Sequence, residues 1–188
     1  MIITIGGRAG SGKSSTGRVI AKALGYDFYS AGDVRREYAN ANGLTIDELN
    51  EKAKTDPTSD FLVDDYMKEL AKTADNMVLD SWLAHHFFPD SAKIYFDANS
   101  ELRAKRIFSR KKPEELSMTV DEAFRRMTEK ENCSAERYRN LYSVDIYDKG
   151  KYDLVVDTTG RTVVESALIV IDYVMHKELI KHLNLIKN

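Results

Sequence analysis

The chain has 188 residues, 43 % of them hydrophobic, and a formal net charge of −2. This length suits one domain with a sizeable core and is too short for two ordinary domains. The near-neutral charge gives no sign of a polyanion-binding surface, so nucleic acid is not an expected partner. Cys133 is the only cysteine, which excludes an internal disulfide and a cysteine zinc cluster.

The first residues lead directly into a short apolar run, without a basic region, a cleavage site or an apolar segment of membrane-spanning length. We therefore expect a cytoplasmic protein that does not bind membranes. A monomer is the expected state, with a dimer as the alternative.

A glycine-rich segment follows the apolar run at 2–5. Its spacing, G-x-x-x-x-G-K-[ST], is typical of a loop whose backbone N–H groups hold nucleotide phosphates. A helix beginning at Lys13 would add its positive N-terminal dipole. Lys13 would reach the β and γ phosphates, and the Ser14 hydroxyl would bind the Mg²⁺ that bridges them. The alternative is a glycine turn without a ligand.

The segment therefore predicts ATP and Mg²⁺ as ligands. The predicted phosphate-binding residues are Gly7, Arg8, Ala9, Gly10, Ser11, Gly12, Lys13, Ser14 and Ser15.

Short β-branched runs alternate with helical patterns along the chain, which is typical of an α/β fold with a mainly parallel sheet. The helix after the loop should end at Gly25, and a last helix over 162–187 should pack on the sheet. The predicted strands are Ile2 to Ile5, Asp27 to Tyr29, Met77–Asp80, Lys93 to Asp97 and Asp153 to Asp157.

Two stretches interrupt this alternation. A helical excursion over 34–74, broken at Asp56-Pro57, separates the second and third strands. A polar segment over 110–118 lies between a helix from Ser100 and a long helix from Thr119. Both can be ordinary loop variation, but in a phosphoryl-transfer enzyme they would be movable covers that keep water from the γ-phosphate.

Arginines are concentrated where these covers begin. Gly32-Asp33-Val34-Arg35-Arg36 opens the excursion, and Arg103, Arg106 and Arg110 run at helical spacing into the polar segment. The arginine side chain offers a planar fork that matches phosphate oxygens, and transfer between phosphorylated molecules needs such charge neutralisation. A solvated helix face is the alternative for the last three.

The third predicted strand ends at Asp80. Ligand sites open at the carboxyl ends of parallel strands, so this carboxylate should face the phosphate loop and hold a Mg²⁺-bound water. Capping of the next helix is the alternative. His85 and His86 follow, and we expect them at the surface without a role.

Short motifs occur in a fixed order over residues 1 to about 160. They are the segment 2–13, Ser-Ala-Gly-Asp at 30–33 followed by Arg36, Leu-Arg-Ala-Lys-Arg-Ile at 102–107, Arg137-Tyr138, Tyr142, Asp145 and Tyr-Asp-Leu-Val at 152–155. This order resembles the archaeal type of cytidylate kinase. The resemblance implies transfer of a phosphoryl group from ATP to a nucleoside monophosphate, with CMP or dCMP as the expected acceptor, giving the diphosphate and ADP.

The resemblance also implies an α/β, three-layer P-loop kinase fold with a five-stranded parallel sheet. Its core would comprise 1–33, 75–108 and 138–188. A helical monophosphate-binding insertion would cover 34–74, and a lid region would cover 109–137.

Carried over residue by residue, the resemblance makes Arg36 a ligand of the acceptor phosphate and places Asp33 near the acceptor. Helix capping is the alternative for Asp33. It makes Arg106 and Arg110 lid arginines that close on the donor phosphates. Arg137, just after the lid helix, would join them at the transferring group.

The chain departs from the family pattern at Ser81-Trp82, where a Gly-Arg pair usually grips the acceptor. Trp82 cannot neutralise a phosphate, but it could stack on a base, cover the acceptor pocket or pack in the core. Lys130 stands where the family has an arginine, and Ala135 replaces another charged residue. Lysine keeps the charge and loses the bidentate fork.

These departures leave the phosphate-loop chemistry intact and the acceptor open. A small-molecule kinase with a non-nucleotide acceptor is one alternative. A nucleotide-binding regulatory protein is another, and the arginines disfavour it because a protein that only binds nucleotide has little use for them.

Overall fold

The structure is a computed structural model that describes residues 1–109 and 119–186. One five-stranded sheet, with every pairing parallel, runs through it in the order β2-β3-β1-β4-β5. Helices between successive strands cover its faces, as parallel connections require. The strands are β1 (Ile2–Gly7), β2 (Asp27–Ser30), β3 (Met77–Asp80), β4 (Ala92–Asp97) and β5 (Leu154–Asp157).

Eight α-helices lie in the described residues. The helices are α1 (Lys13–Leu24), α2 (Ala31–Ala41), α3 (Ile46–Lys52), α4 (Thr58–Thr73), α5 (Ala84–Phe87), α6 (Ser100–Phe108), α7 (Val120–Tyr142) and α8 (Val163–Ile186). Both α1 and α8 pack on the sheet over its main apolar core.

The predicted strands are confirmed within about two residues at each end. β1 extends beyond Ile5 because Gly6 and Gly7 pair with Tyr95 and Phe96 of β4. β2 likewise includes Ser30, which pairs with Asp80. The phosphate-loop segment therefore begins at the carboxyl edge of the sheet.

The predicted excursion consists of three helices and begins earlier than expected. α2 starts at Ala31 because the Ser30 hydroxyl caps it, accepting from the Asp33 backbone N–H. The break at Asp56-Pro57 is confirmed, since Pro57 immediately precedes α4. α1 ends as predicted, with Gly25 in the left-handed conformation at φ 68°.

One expectation about the histidines is wrong. His85 is buried, and its Nδ1 lies 3.1 Å from the Tyr152 hydroxyl. Burial lowers the pKa of His85 to about 4. His86 is exposed, as expected. The burial of His85 was not predictable from the local pattern, because its partner, Tyr152, lies 67 residues away in the chain.

Within the part of the chain that the structure describes, no helix combines the length and apolar character needed to cross a membrane.

Candidate active site

The glycine-rich segment forms a loop between β1 and α1 that depends on its glycines. Gly7, Gly10 and Gly12 have φ values of 125°, 75° and 89°, which other residues rarely adopt. At Gly7 an added Cβ would lie 2.0 Å from the Phe96 carbonyl oxygen. No side chain of the described residues caps α1 at Gly12, so the N–H groups of its first turn are available to an anion.

The Lys13 amine curls over this loop. Its Nζ donates to the Gly7 and Arg8 carbonyl oxygens, each at 2.8 Å. Burial lowers the pKa of Lys13, while the nearby Asp80 and Glu131 carboxylates raise it. The cation is therefore held within the loop rather than extended into solvent.

Asp80 lies against the start of α1. Its Oδ2 accepts a hydrogen bond from the Ser14 hydroxyl at 2.5 Å. Burial raises the pKa of Asp80, and the Lys13 charge opposes that shift. The helix-capping alternative is wrong, because α5 begins at Ala84 without a side-chain cap.

The arginine expected at the acceptor phosphate lies on α2. Arg36 Nη2 and Arg18 Nη2 each bind one oxygen of Asp33 at 2.5 Å. The capping alternative for Asp33 is wrong, since Ser30 is the cap and Asp33 contributes only its backbone N–H. Asp33 thus holds Arg36 beside the loop.

A cleft joins these groups between the phosphate loop, the insertion helices and α7. It combines charged groups with apolar and aromatic side chains. Its lining includes Lys13, Ser14, Asp80, Arg35, Arg36, Ile46, Asn50, Trp82, Lys130 and Tyr138.

Trp82 both lines the cleft and packs against protein. Its Nε1 donates to the Gly7 carbonyl oxygen at 2.8 Å. The indole meets the rings of Tyr138 and Tyr147 edge to face, with centroids 6.2 Å away in each case. These contacts fix the ring beside Gly7, so the indole packs against protein and also lines the cleft.

A second cleft adjoins the first and shares Ala9, Ile46, Asn50 and Lys130 with it. Arg137 lines this second cleft. The residue lies within α7 rather than after it, because that helix continues to Tyr142.

A buried carboxylate that the sequence reasoning missed holds Arg137. Asp60 lies on α4, and its Oδ2 is 3.0 Å from Arg137 Nε. Its Oδ1 accepts a hydrogen bond from Arg35 Nη1 at 2.8 Å. The Tyr138 hydroxyl donates to the same Oδ1 at 3.2 Å. Asp60 therefore ties the insertion to α7. Among the residues that the structure describes, Arg35 Nε and Arg137 Nη2 have no hydrogen-bond partner.

The arginines of α6 lie on the opposite side of the loop. Arg106 Nη1 donates to Thr158 Oγ1 at 2.9 Å, and Nη2 donates to the Thr158 carbonyl oxygen at 3.0 Å. Arg103 is only 5 % exposed, so the alternative that it lies on a solvated helix face is wrong. Arg110 falls outside the described residues.

Comparison with known proteins identifies a family. The sequence model of the cytidylate kinase-like family matches residues 2–160. The chain belongs to the cytidylate kinase-like family. The family match covers the phosphate loop, the insertion, α7 and the whole sheet, which are the elements that build both clefts.

Relatives of this family are similar over most of their length. The cytidylate kinase of Natronomonas pharaonis is 38 % identical over 176 residues, covering 89 % of each chain. That of Methanococcoides burtonii is 35 % identical, covering 85 % of this chain and 88 % of the relative. That of Thermoplasma volcanium is 34 % identical, covering 95 % of both.

Solved kinases share the fold. A shikimate kinase from Bacteroides thetaiotaomicron aligns with a TM-score of 0.62 at 14 % identity, covering 93 % of this chain and 98 % of that one. Shikimate kinase from Acinetobacter baumannii aligns with a TM-score of 0.63 at 19 % identity, covering 95 % and 94 %. At these identities the likeness establishes a P-loop kinase fold and does not identify an acceptor.

Proposed function

We propose that this protein transfers the γ-phosphoryl group of ATP to a nucleoside monophosphate, CMP or dCMP, giving the diphosphate and ADP. One observation carries the proposal. A single cleft joins the phosphate loop and the Ser14–Asp80 pair to Arg36 on the insertion. Kinase relatives named for cytidylate support the choice of acceptor.

The donor phosphates would lie on the loop between β1 and α1. Its N–H groups and the start of α1 favour negative charge, and Lys13 supplies a cation within the loop. A groove on the far side, lined by Gly12, Arg106, Thr158 and Arg161 among others, continues from the same loop. We assign the nucleoside of ATP to this groove.

The residues present fit a magnesium ion. Ser14 and Asp80 bring a hydroxyl and a carboxylate oxygen together beside the loop, and Mg²⁺ prefers oxygen ligands while keeping several waters. These two residues would hold the ion, directly or through water. When bound, it neutralises charge on the donor phosphates.

The acceptor phosphate would bind opposite the donor. Arg36 faces the cleft from α2, and its present partner, Asp33, orients it there. In the transfer, an oxygen of the acceptor phosphate forms a bond to the γ-phosphorus as the bond to the β,γ-bridging oxygen breaks. Lys13, Arg36 and Arg137 would stabilise the charge on the transferring group.

The apolar and aromatic lining of the cleft suits a nucleobase. Ile46 and the aromatic rings of Trp82 and Tyr138 offer apolar contact, and Asn50 carries a buried Nδ2 that has no hydrogen-bond partner within the described part of the chain. An amide offers a donor and an acceptor side by side, which matches the donor and acceptor pattern of a base edge. This feature favours a nucleotide acceptor.

Trp82 also supports a second candidate. Because it occupies the cleft where the family usually has an arginine, a non-nucleotide acceptor carrying fewer charges would fit better than in other members. Such a protein would be a small-molecule kinase with the same donor site.

Product analysis tests the proposal. Incubation with ATP, Mg²⁺ and CMP should yield CDP in amounts equal to the ADP formed, as separated by anion-exchange chromatography. Asp80→Asn should abolish most of this product. ADP formation without CDP, unaffected by CMP, would contradict the proposal.

A further inference from the structure

A buried carboxylate on α7 holds the first half of the phosphate loop. Glu131 is 3 % exposed. Its Oε1 accepts from the Ala9 backbone N–H at 2.9 Å and from Arg103 Nη1 at 2.6 Å. Its Oε2 accepts from Arg8 Nη1 at 2.8 Å. One side chain therefore bonds to two successive loop residues and to α6.

The two arginines make this burial electrostatically tolerable. A buried carboxylate is costly unless charged and hydrogen-bonded partners surround it. Arg103 is itself anchored, since it donates to the Ala98 and Ala9 carbonyl oxygens at 3.2 and 3.1 Å. Arg8 lies over the Tyr147 ring, 4.4 Å from its centroid. The partners of Glu131 are thus held from several directions.

The contact to Ala9 distinguishes this residue from an ordinary buried ion pair. A loop with three glycines in positive φ loses much conformational entropy when it is fixed. Glu131 accepts a hydrogen bond from one loop N–H and holds the adjoining Arg8 side chain. Part of the conformational entropy of the loop is therefore already lost before any ligand binds. The remaining N–H groups are left for phosphate oxygens.

We propose that Glu131 is a positioning residue that pre-organises the phosphate loop for the donor nucleotide and links the loop to α7. This inference rests on the proposed function only in taking ATP as the donor. Because α7 also carries Lys130 and Arg137, which line the second cleft, the same residue fixes the donor loop relative to these two cations.

The test is ATP binding measured by calorimetry with Mg²⁺ and without any acceptor. Glu131→Gln keeps an oxygen for the Ala9 N–H but places an amide against two arginines. We expect ATP to bind about tenfold more weakly, with CMP affinity, measured by Trp82 fluorescence, within twofold of wild type. Glu136→Gln, an exposed position on the same helix, should leave both affinities unchanged.

A purely structural role predicts a different result. Glu131→Gln would then lower the melting temperature while ATP affinity, measured well below that temperature, stayed within twofold of wild type. That result would overturn the inference. If Glu131→Gln does not fold, Glu131→Asp keeps the charge but shortens the side chain by one methylene, which withdraws the carboxylate from the Ala9 N–H. It should weaken ATP binding at least threefold, and unchanged binding would equally overturn the inference.

The proposed function and the proposed role of Glu131 can be contradicted independently of each other. A wild-type protein that binds ATP but does not phosphorylate CMP would contradict the proposed function, while the effect of Glu131→Gln on ATP binding would still stand. Transfer to CMP with unchanged ATP binding in the variant would contradict only the role of Glu131.

Discussion

The Ser14 hydroxyl donates to Asp80 Oδ2 at 2.5 Å, although 66 residues separate the two. The sheet brings them together because β3 lies beside β1, with Ile5 paired to Asp80. The two oxygens proposed to hold Mg²⁺ thus meet where the carboxyl ends of the strands face the start of α1.

Replacing Lys13 with alanine tests the phosphate loop. Its amine bonds only loop carbonyl oxygens among the hydrogen bonds described, so the fold should survive. We expect kcat to fall by about 10² to 10³, or roughly 3 to 4 kcal/mol of transition-state stabilisation. Lys22→Ala, at an exposed position of α1, is the control. Retention of more than about a third of wild-type turnover at saturating ATP would refute the loop assignment.

Arg36→Ala separates acceptor from donor. This side chain faces the cleft from the insertion, so its loss should raise the acceptor KM and lower kcat while ATP affinity stays unchanged. Calorimetry with ATP alone checks the second part. Arg125→Ala, exposed on α7, should alter neither constant. An equal loss of ATP binding in Arg36→Ala would reject this division of labour.

Trp82 should report on acceptor binding, since it is the only tryptophan and lines the cleft. Titration with CMP should give a saturable change in fluorescence, weaker with purine monophosphates. Trp82→Arg should change acceptor affinity or choice. It should also lower stability, because the indole packs against Tyr138 and Tyr147.

If no monophosphate changes the fluorescence, while the protein turns over ATP with another acceptor, the small-molecule kinase is the better account. Trp82→Phe serves as a milder variant for the activity assay, since it keeps an aromatic ring but loses the N–H that donates to the Gly7 carbonyl oxygen.

Asp64 gives a prediction for stability against pH. Burial raises the pKa of this carboxyl to about 6, and Tyr142 donates a hydrogen bond to it. The folded state then binds more protons than the unfolded state between about pH 4 and 6, so this residue's contribution to stability falls as pH rises through that window.

Asp64→Asn removes the titration. The variant should be more stable than wild type at pH 8, by up to about 2 kcal/mol, and the difference should shrink as pH falls through 6 toward 4. Urea unfolding of both proteins at several pH values measures this difference in the free energy of unfolding. A difference that does not change with pH would show that the carboxyl does not titrate in this range.

Local patterns in the sequence were enough to predict the phosphate loop and the strands. The spacing of Gly7, Gly12 and Lys13 is the pattern that phosphate binding requires, and β-branched runs are typical of buried parallel strands. Asp80 was predictable for a similar reason, since it ends such a run.

The buried ion pairs were not predictable in this way. Asp60 meets Arg137, and Glu131 meets Arg8, across 77 and 123 residues of chain. Nothing near either carboxylate marks it as buried, because both lie on helices rich in exposed charge. Asp60 and Glu131 differ from the exposed acidic residues of the same helices only because α7 packs against the insertion and the phosphate loop.

The measurement that tests the central claim most directly is kcat/KM from a coupled ADP-release assay. It compares CMP, dCMP, UMP, AMP, GMP and small alcohols such as shikimate, with ATP and Mg²⁺ held constant. We predict the highest value for CMP or dCMP, and a low background without acceptor. A higher value for shikimate or another non-nucleotide alcohol, or ADP release at the same rate with every acceptor, would contradict the account.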